Sequence, residues 1–120
     1  MIIFSISKRI KNFFKVIVQK KQPSENIYII KDDKYLADIP NKNGYYRFFY
    51  PNGNVKAECH YISDRLEGIS NFYYPSGKIE RKENYRKGVL DGLSFYYSET
   101  GKKKSEVYYS DGVVKSHKDY

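Results

Sequence analysis

Cysteine is nearly absent. The chain has one, Cys59, so no intramolecular disulfide can form, and a reducing, cytoplasmic setting fits best. One cysteine and two histidines are too few ligands for a zinc site, and no metal or other cofactor is expected. No run of about 18 or more uncharged apolar residues occurs, which excludes a transmembrane helix. The glycines fall in turns between short strand-like segments. None sits at a strand-to-helix junction of the kind that cradles phosphate, so no nucleotide fingerprint applies. Adjacent Cys59 and His60 suggest a nucleophile and its base. Neighbours in a strand, however, point to opposite faces and do not meet, so no enzymatic activity is expected.

Acids are missing from one region only. Residues 1–21 carry Lys8, Arg9, Lys11, Lys15, Lys20 and Lys21 and no acid, which is +6 of the chain's net +8. The remaining residues are almost balanced, which argues against a nucleic-acid sleeve running the length of the protein.

Aromatic residues are plentiful, with 14 Tyr and 7 Phe among 120 residues. That content argues for a folded domain rather than disorder. The length fits one domain with a modest core. Tyrosine in such numbers suits half-exposed sheets, ring faces packed and hydroxyls near water.

The aromatic residues recur on a period. Gly44, Gly68 and Gly92 are 24 residues apart, as are Tyr61, Tyr85 and Tyr109, and Gly53, Gly77 and Gly101. Asp64, Gly88 and Gly112 form a fourth column, all turn formers. Three units follow: "GYYRFFYPNGNVKAECHYISDRLE", "GISNFYYPSGKIERKENYRKGVLD" and "GLSFYYSETGKKKSEVYYSDGVVK". A partial unit precedes them around "YIIKDDKYLADIPNKN". The third unit is read as reaching its aromatic trio one residue early, compensated by a turn one residue longer.

Each unit reads as two strands: a short aromatic one, a Gly-bearing turn, then about seven residues of near-usual strand length. In the first unit Val55, Ala57, Cys59 and Tyr61 are expected on one face, and Lys56, Glu58 and His60 on the other. Glu58, Lys82 and Glu106 form one polar column. The expected architecture is a β-meander of stacked hairpins, extended along one axis.

The order Gly, aromatic strand, "YYPSGK", Glu-bearing strand, "YRKGVLDG" resembles the MORN repeat (membrane occupation and recognition nexus). More narrowly it is similar to the variant carried by bacterial YwqK-type antitoxin-like proteins. The resemblance covers residues 44–115 and, loosely, 28–43. It implies a scaffold, a lipid-associated module or the partner of a toxin.

Residues 1–21, "MIIFSISKRIKNFFKVIVQKK", space Ile3, Ile6, Ile10, Phe13, Phe14 and Ile17 at three- and four-residue steps. Lys8, Lys11 and Lys15 fall opposite, with Arg9 at the margin. That pattern predicts a basic amphipathic helix, ended at "QPSEN" by Pro23. Four readings stay open. The helix covers the apolar face of the sheet; it lies on an anionic membrane; the stretch is an export signal; or, being rich in β-branched residues, it is a strand. The expected organisation is therefore a helix over 1–21, a linker and partial repeat over 22–43, and three repeats with a short tail over 44–120.

Two surfaces are candidates for binding. One is that helix, through Ile6, Lys8, Arg9, Ile10, Lys11, Phe13, Phe14 and Lys15. The other is an aromatic ladder, Phe48, Tyr50, Phe72, Tyr74, Phe95 and Tyr97, beside the basic Lys102, Lys103 and Lys104. As plain structure the ladder is core; as a site it suits a protein partner. Stacking of single-stranded nucleic acid would need a basic track, and Glu58, Glu80, Glu83 and Glu106 interrupt the one that Lys56, Arg81 and Lys82 would extend. The expected function is non-enzymatic: antitoxin-like or inhibitory occlusion of a partner protein, with anionic-membrane binding through the helix as the alternative.

Overall fold

A computed structural model describes residues 16–22, 25–32 and 39–120. Among these residues eleven strands form one open sheet: β1 Val16–Gln22, β2 Glu25–Ile30, β3 Gly44–Phe49, β4 Val55–Ile62, β5 Arg65–Leu66, β6 Gly68–Tyr73, β7 Ile79–Arg86, β8 Val89–Leu90, β9 Gly92–Tyr97, β10 Lys103–Ser110 and β11 Val113–Asp119. The spatial order is β1-β2-β3-β4-β6-β7-β9-β10-β11, with the two-residue β5 and β8 lying beside β4 and β7. Every pairing is antiparallel except β2 with β3, which is parallel.

The 24-residue period is kept strictly. Each unit turns the same way at both ends. At the aromatic end, Gly53, Gly77 and Gly101 donate their N–H at 2.9 Å to the carbonyls of Tyr50, Tyr74 and Ser98. At the other end, two residues with positive φ make the hairpin: Ser63 and Asp64, Lys87 and Gly88, Asp111 and Gly112. Positive φ at both central residues is the type I′ requirement, and that turn's twist matches the strands it joins. Its residues are tied to the preceding unit. Gly88 donates to Leu66 O at 2.9 Å and Gly112 to Leu90 O at 2.7 Å. The side chains of Asn43, Glu67 and Asp91 accept from the backbone N–H of Ser63, Lys87 and Asp111.

Three sequence expectations change. First, the third unit has no one-residue shift. Arg81 pairs with Tyr96 as Ala57 pairs with Phe72. Tyr96 therefore stands where Phe72 does, and Ser98 where Tyr50 and Tyr74 do. Phe95 and Tyr97 consequently lie on the opposite face from the ladder assigned to them. Second, each long strand carries a bulge. Val55 pairs with Phe49 while Ala57 pairs with Phe48, so Val55 and Ala57 face opposite ways; Ile79 and Lys103 repeat this. Third, no helix occurs among the described residues, and the helix expected over 1–21 is replaced by strand β1 from Val16 onward. The β-branched Val16, Ile17 and Val18 pair with Ile30, Ile29 and Tyr28, and such residues favour a pleated surface. The rest of that expectation, with Ile6, Lys8, Arg9, Ile10, Lys11, Phe13, Phe14 and Lys15, lies outside the described residues.

The core is made by one face of the sheet, here called the inner face. Ile30, Ile39, Tyr46, Phe48, Ala57 and Cys59 form its buried cluster, with Tyr28, Tyr61, Leu66 and Phe72 packed against it. Tyr46 is 2% exposed. It stacks on Tyr28 at 4.5 Å and meets Tyr61 edge-on at 5.1 Å. Farther along, the face carries small buried side chains. Ser70 and Ser94 are fully buried, and Glu83 nearly so. On the same face the Tyr96 and Tyr109 hydroxyls approach each other to 3.4 Å.

Candidate functional site

Residues paired in register share a face, and faces alternate along each strand. Six strands therefore sort their side chains into rows. The inner face carries Phe48, Ala57, Phe72, Arg81, Tyr96 and Ser105 across the sheet. Most of the ladder residues belong to it, and they are built into the fold. Phe48 is core. Phe72 is half-buried, with the Arg81 guanidinium 3.8 Å above its ring. Tyr50 and Tyr74 donate their hydroxyls to the Tyr73 and Tyr97 carbonyls at 2.6 and 2.7 Å, which ties each unit to the next. Arg81 is held by Glu80 and Glu83, and Tyr85 also donates to Glu83. The basic track does not form on either face: Arg81 is inner, Lys82 outer. Lys103 sits over the Phe95 ring at 4.8 Å and beside Glu106, while Lys102 and Lys104 are exposed.

Burial governs the ionisation of several tyrosines of the sheet. Burial pushes the Tyr61, Tyr73 and Tyr85 phenols up to about 12, helped at Tyr73 by its hydrogen bond to Glu58. Tyr46 and Tyr96 move the same way for the same first cause. An unfolded phenol ionises near pH 10, so the folded state holds these protons more tightly. Their stabilisation is complete below about pH 10 and is lost as pH rises from there through about 12. An alkaline titration should show tyrosinate absorbance in two stages, the second coinciding with loss of the sheet's circular dichroism. A single non-cooperative stage would contradict it.

Cys59 and His60 are separated as strand neighbours must be. Cys59 is buried, and burial raises its thiol pKa, which keeps the reactive thiolate scarce. His60 lies on the outer face, stacked on Tyr45 at 4.4 Å. Among the described residues no group of three or more His, Cys, Asp and Glu side chains is placed to hold a metal. No helix among them is long and apolar enough to cross a membrane.

The outer face differs. Its middle row is mostly polar, and its carboxylates Glu58 and Glu106 are matched. Arg47 bonds Glu58 at 3.1 Å, Tyr73 donates to Glu58 at 2.6 Å, and Tyr120 donates to Glu106 at 2.8 Å. The neighbouring row, toward the type I′ turns, alternates exposed apolar side chains with the half-buried His60 and Asn84. Tyr45, Ile69 and Leu93 stand at one level of β3, β6 and β9, at 48%, 62% and 48% exposure. Tyr108 pairs with Leu93 and extends the row to β10. Two residues nearer the turns, Ile62, Val89 and Val113 widen the patch, each about half exposed. Single exposed apolar residues are ordinary, but a monomer's largest apolar patch is typically about 300–600 Å² and often functional. Seven such side chains share this one face, interleaved with His60 and Asn84. A cleft of about 380 Å³ opens at one end, between Tyr45, Arg47, Glu58, Ile69 and Asn71. Arg65 and Lys82 lie exposed along the patch, while the acids Glu58 and Glu106 of that face are already matched.

The sequence reading did not select this row, though a signal existed. Tyr45, Ile69 and Leu93 each follow a column glycine and keep the 24-residue spacing.

A family model described as MORN repeat variant matches residues 42–63, 66–87 and 90–111, more than half of the chain. No curated protein and no solved structure matches it.

Proposed function

We propose that this chain, which belongs to the MORN repeat variant family, is a non-enzymatic interaction module that binds a partner protein through the outer face of its sheet. One observation carries the reading: the exposed side chains Tyr45, Ile69, Leu93 and Tyr108, widened by Ile62, Val89 and Val113, on a face whose carboxylates Glu58 and Glu106 are already matched. A partner covering it desolvates apolar surface while Glu58 and Glu106 keep their hydrogen bonds. The hydrogen-bonded units hold the row in place beforehand, so little conformational freedom is lost on binding. In its narrower form the reading is inhibitory and antitoxin-like: the sheet occludes a working surface of its partner. The repeat's similarity to that of YwqK-type proteins supports this form.

Full-length protein and its Ile69→Lys variant, each immobilised and exposed to lysate of the source cells, test the reading. The expected result is one stoichiometric protein retained at moderate salt by the first and lost by the second. Equal capture by both would overturn it. Capture of anionic lipid alone, lost at high salt, would favour the membrane alternative, with the cations of residues 1–15 as the binding element.

A further inference from the structure

We infer that the partner element accepted by the outer face is an acidic amphipathic α-helix, laid across the strands with its apolar side chains at heptad spacing. The inference rests on the interaction reading above and goes further by naming the element. Tyr45, Ile69 and Leu93 lie on β3, β6 and β9, every second strand of the sheet path. Adjacent strands are about 4.8 Å apart, so these side chains repeat at about 9.6 Å. Seven residues of an α-helix rise about 10.5 Å and return to nearly the same face. An extended segment fits less well: same-face residues recur at about 6.8 or 13.6 Å. Polyproline II matches the repeat more nearly, at about 9.3 Å per turn, but it is recognised by aromatic-lined grooves, and the central positions here are Ile69 and Leu93. Strand twist of roughly 20° per step limits a straight rod to about three of these positions. Contact therefore runs from Tyr45 to Leu93, about two heptads of helix.

Charge selects the sign of the partner. The unmatched charges along the patch are those of Arg65 and Lys82. The acids of the face, Glu58 and Glu106, are engaged by Arg47 and Tyr73, and by Lys103 and Tyr120. A helix with glutamates flanking its apolar seam meets complementary charge. The chain's own residues 1–15 have comparable apolar spacing but carry Lys8, Arg9, Lys11 and Lys15 with no acid, so they bring like charge to this surface.

The test is a titration of the full-length protein with a synthetic helical peptide, read by fluorescence anisotropy. The peptide has leucine at the first and fourth places of each heptad, and glutamate and alanine elsewhere. Its comparators are a scrambled peptide of the same composition and one with lysine for glutamate. The heptad peptide should bind at least tenfold more tightly than either comparator. Ile69→Lys and Leu93→Lys should each weaken it at least tenfold, and Lys82→Glu several-fold, with circular dichroism unchanged. Lys102→Glu, at the far end of the unit, should leave it unaltered. Equal binding of the scrambled or lysine peptide would overturn the inference. So would a tenfold gain on Ile10→Glu, which would show that the chain's own segment holds the patch. If the cellular partner is lost with Ile69→Lys but the heptad peptide fails, the helix is wrong and the interaction reading stands; if both fail, the outer face is not a docking surface.

Discussion

Tyr46→Ala should lower the unfolding free energy by about 3–5 kcal/mol, the usual cost of truncating a large buried aromatic residue. Tyr46 is 2% exposed and touches Tyr28 and Tyr61 in two different ring geometries. Each aromatic contact adds roughly 0.5–1.5 kcal/mol beyond burial. The loss falls where the β1–β2 hairpin meets the repeats, since Tyr28 belongs to β2 and pairs in parallel with Tyr46. Urea titration should show a lower midpoint. Because the parallel pairing is slightly weaker per residue than the antiparallel ones, protection of the Ile27–Ile30 amides from hydrogen exchange should fall more than that of β9 and β10. Uniform loss would mean that the sheet unfolds as one body. Tyr46→Phe should cost far less, since its rings keep their packing.

Arg81→Ser should cost about 3 kcal/mol, yet Arg81→Ser with Glu83→Val should nearly restore the original stability. Glu83 is buried, and its carboxylate is satisfied by Arg81 and Tyr85. Removing Arg81 alone strands a buried charge, which typically costs about 3–5 kcal/mol. The lower end applies because Arg81 is itself about one-third exposed. Removing both leaves Ser and Val, the pair that the third unit already carries at the equivalent Ser105 and Val107. Replacing a buried pair by fitted neutral residues is often neutral or better. Chemical denaturation of the two single variants and the double variant measures the coupling. Strictly additive losses would show that Arg81 and Glu83 are not a unit, and that the ring contact between Arg81 and Phe72 dominates.

The repeat was legible because turns constrain residue type severely. Columns such as Gly53, Gly77 and Gly101 mark positions of positive φ that other residues rarely adopt. The register of the third unit was misread because aromatic residues were aligned by type. Phe95, Tyr96 and Tyr97 resemble Phe72, Tyr73 and Tyr74, but the turn hydrogen bonds make Ser98 the equivalent of Tyr74. Bulges at Lys56, Glu80 and Lys104 were hidden, since one extra residue reverses the facing of its neighbours without changing composition. The end of the 1–21 segment was misread because three- and four-residue spacing of apolar residues does not exclude a strand. Pairing with Ile27–Ile30 decided it, and that pairing is tertiary information.

The site was less legible than the fold. Alternation shows that a strand has two faces, not which one curls inward. The inner face of the second unit carries Arg81 and Glu83 and looks wet in sequence; in the fold these charges neutralise each other, with Arg81 lying over the Phe72 ring. The outer face carries Ile69 and Leu93 and is the one left open. Polarity along the chain therefore pointed to the aromatic ladder, whereas exposure points to the residues just after each glycine.

The bonds between units give the protein a mechanical character. Each unit is fastened only to its neighbours, through Tyr50 and Tyr74 and through the side chains at 43, 67 and 91. The two edge strands, β1 and β11, lie at opposite sides of the sheet. A load applied across those edges acts on the ladders in series, opening them one bond at a time rather than shearing many together. The sheet then behaves as a chain of small latches. Each yields at low force and releases about 80 Å of extended polypeptide, 24 residues at roughly 3.3–3.6 Å apiece.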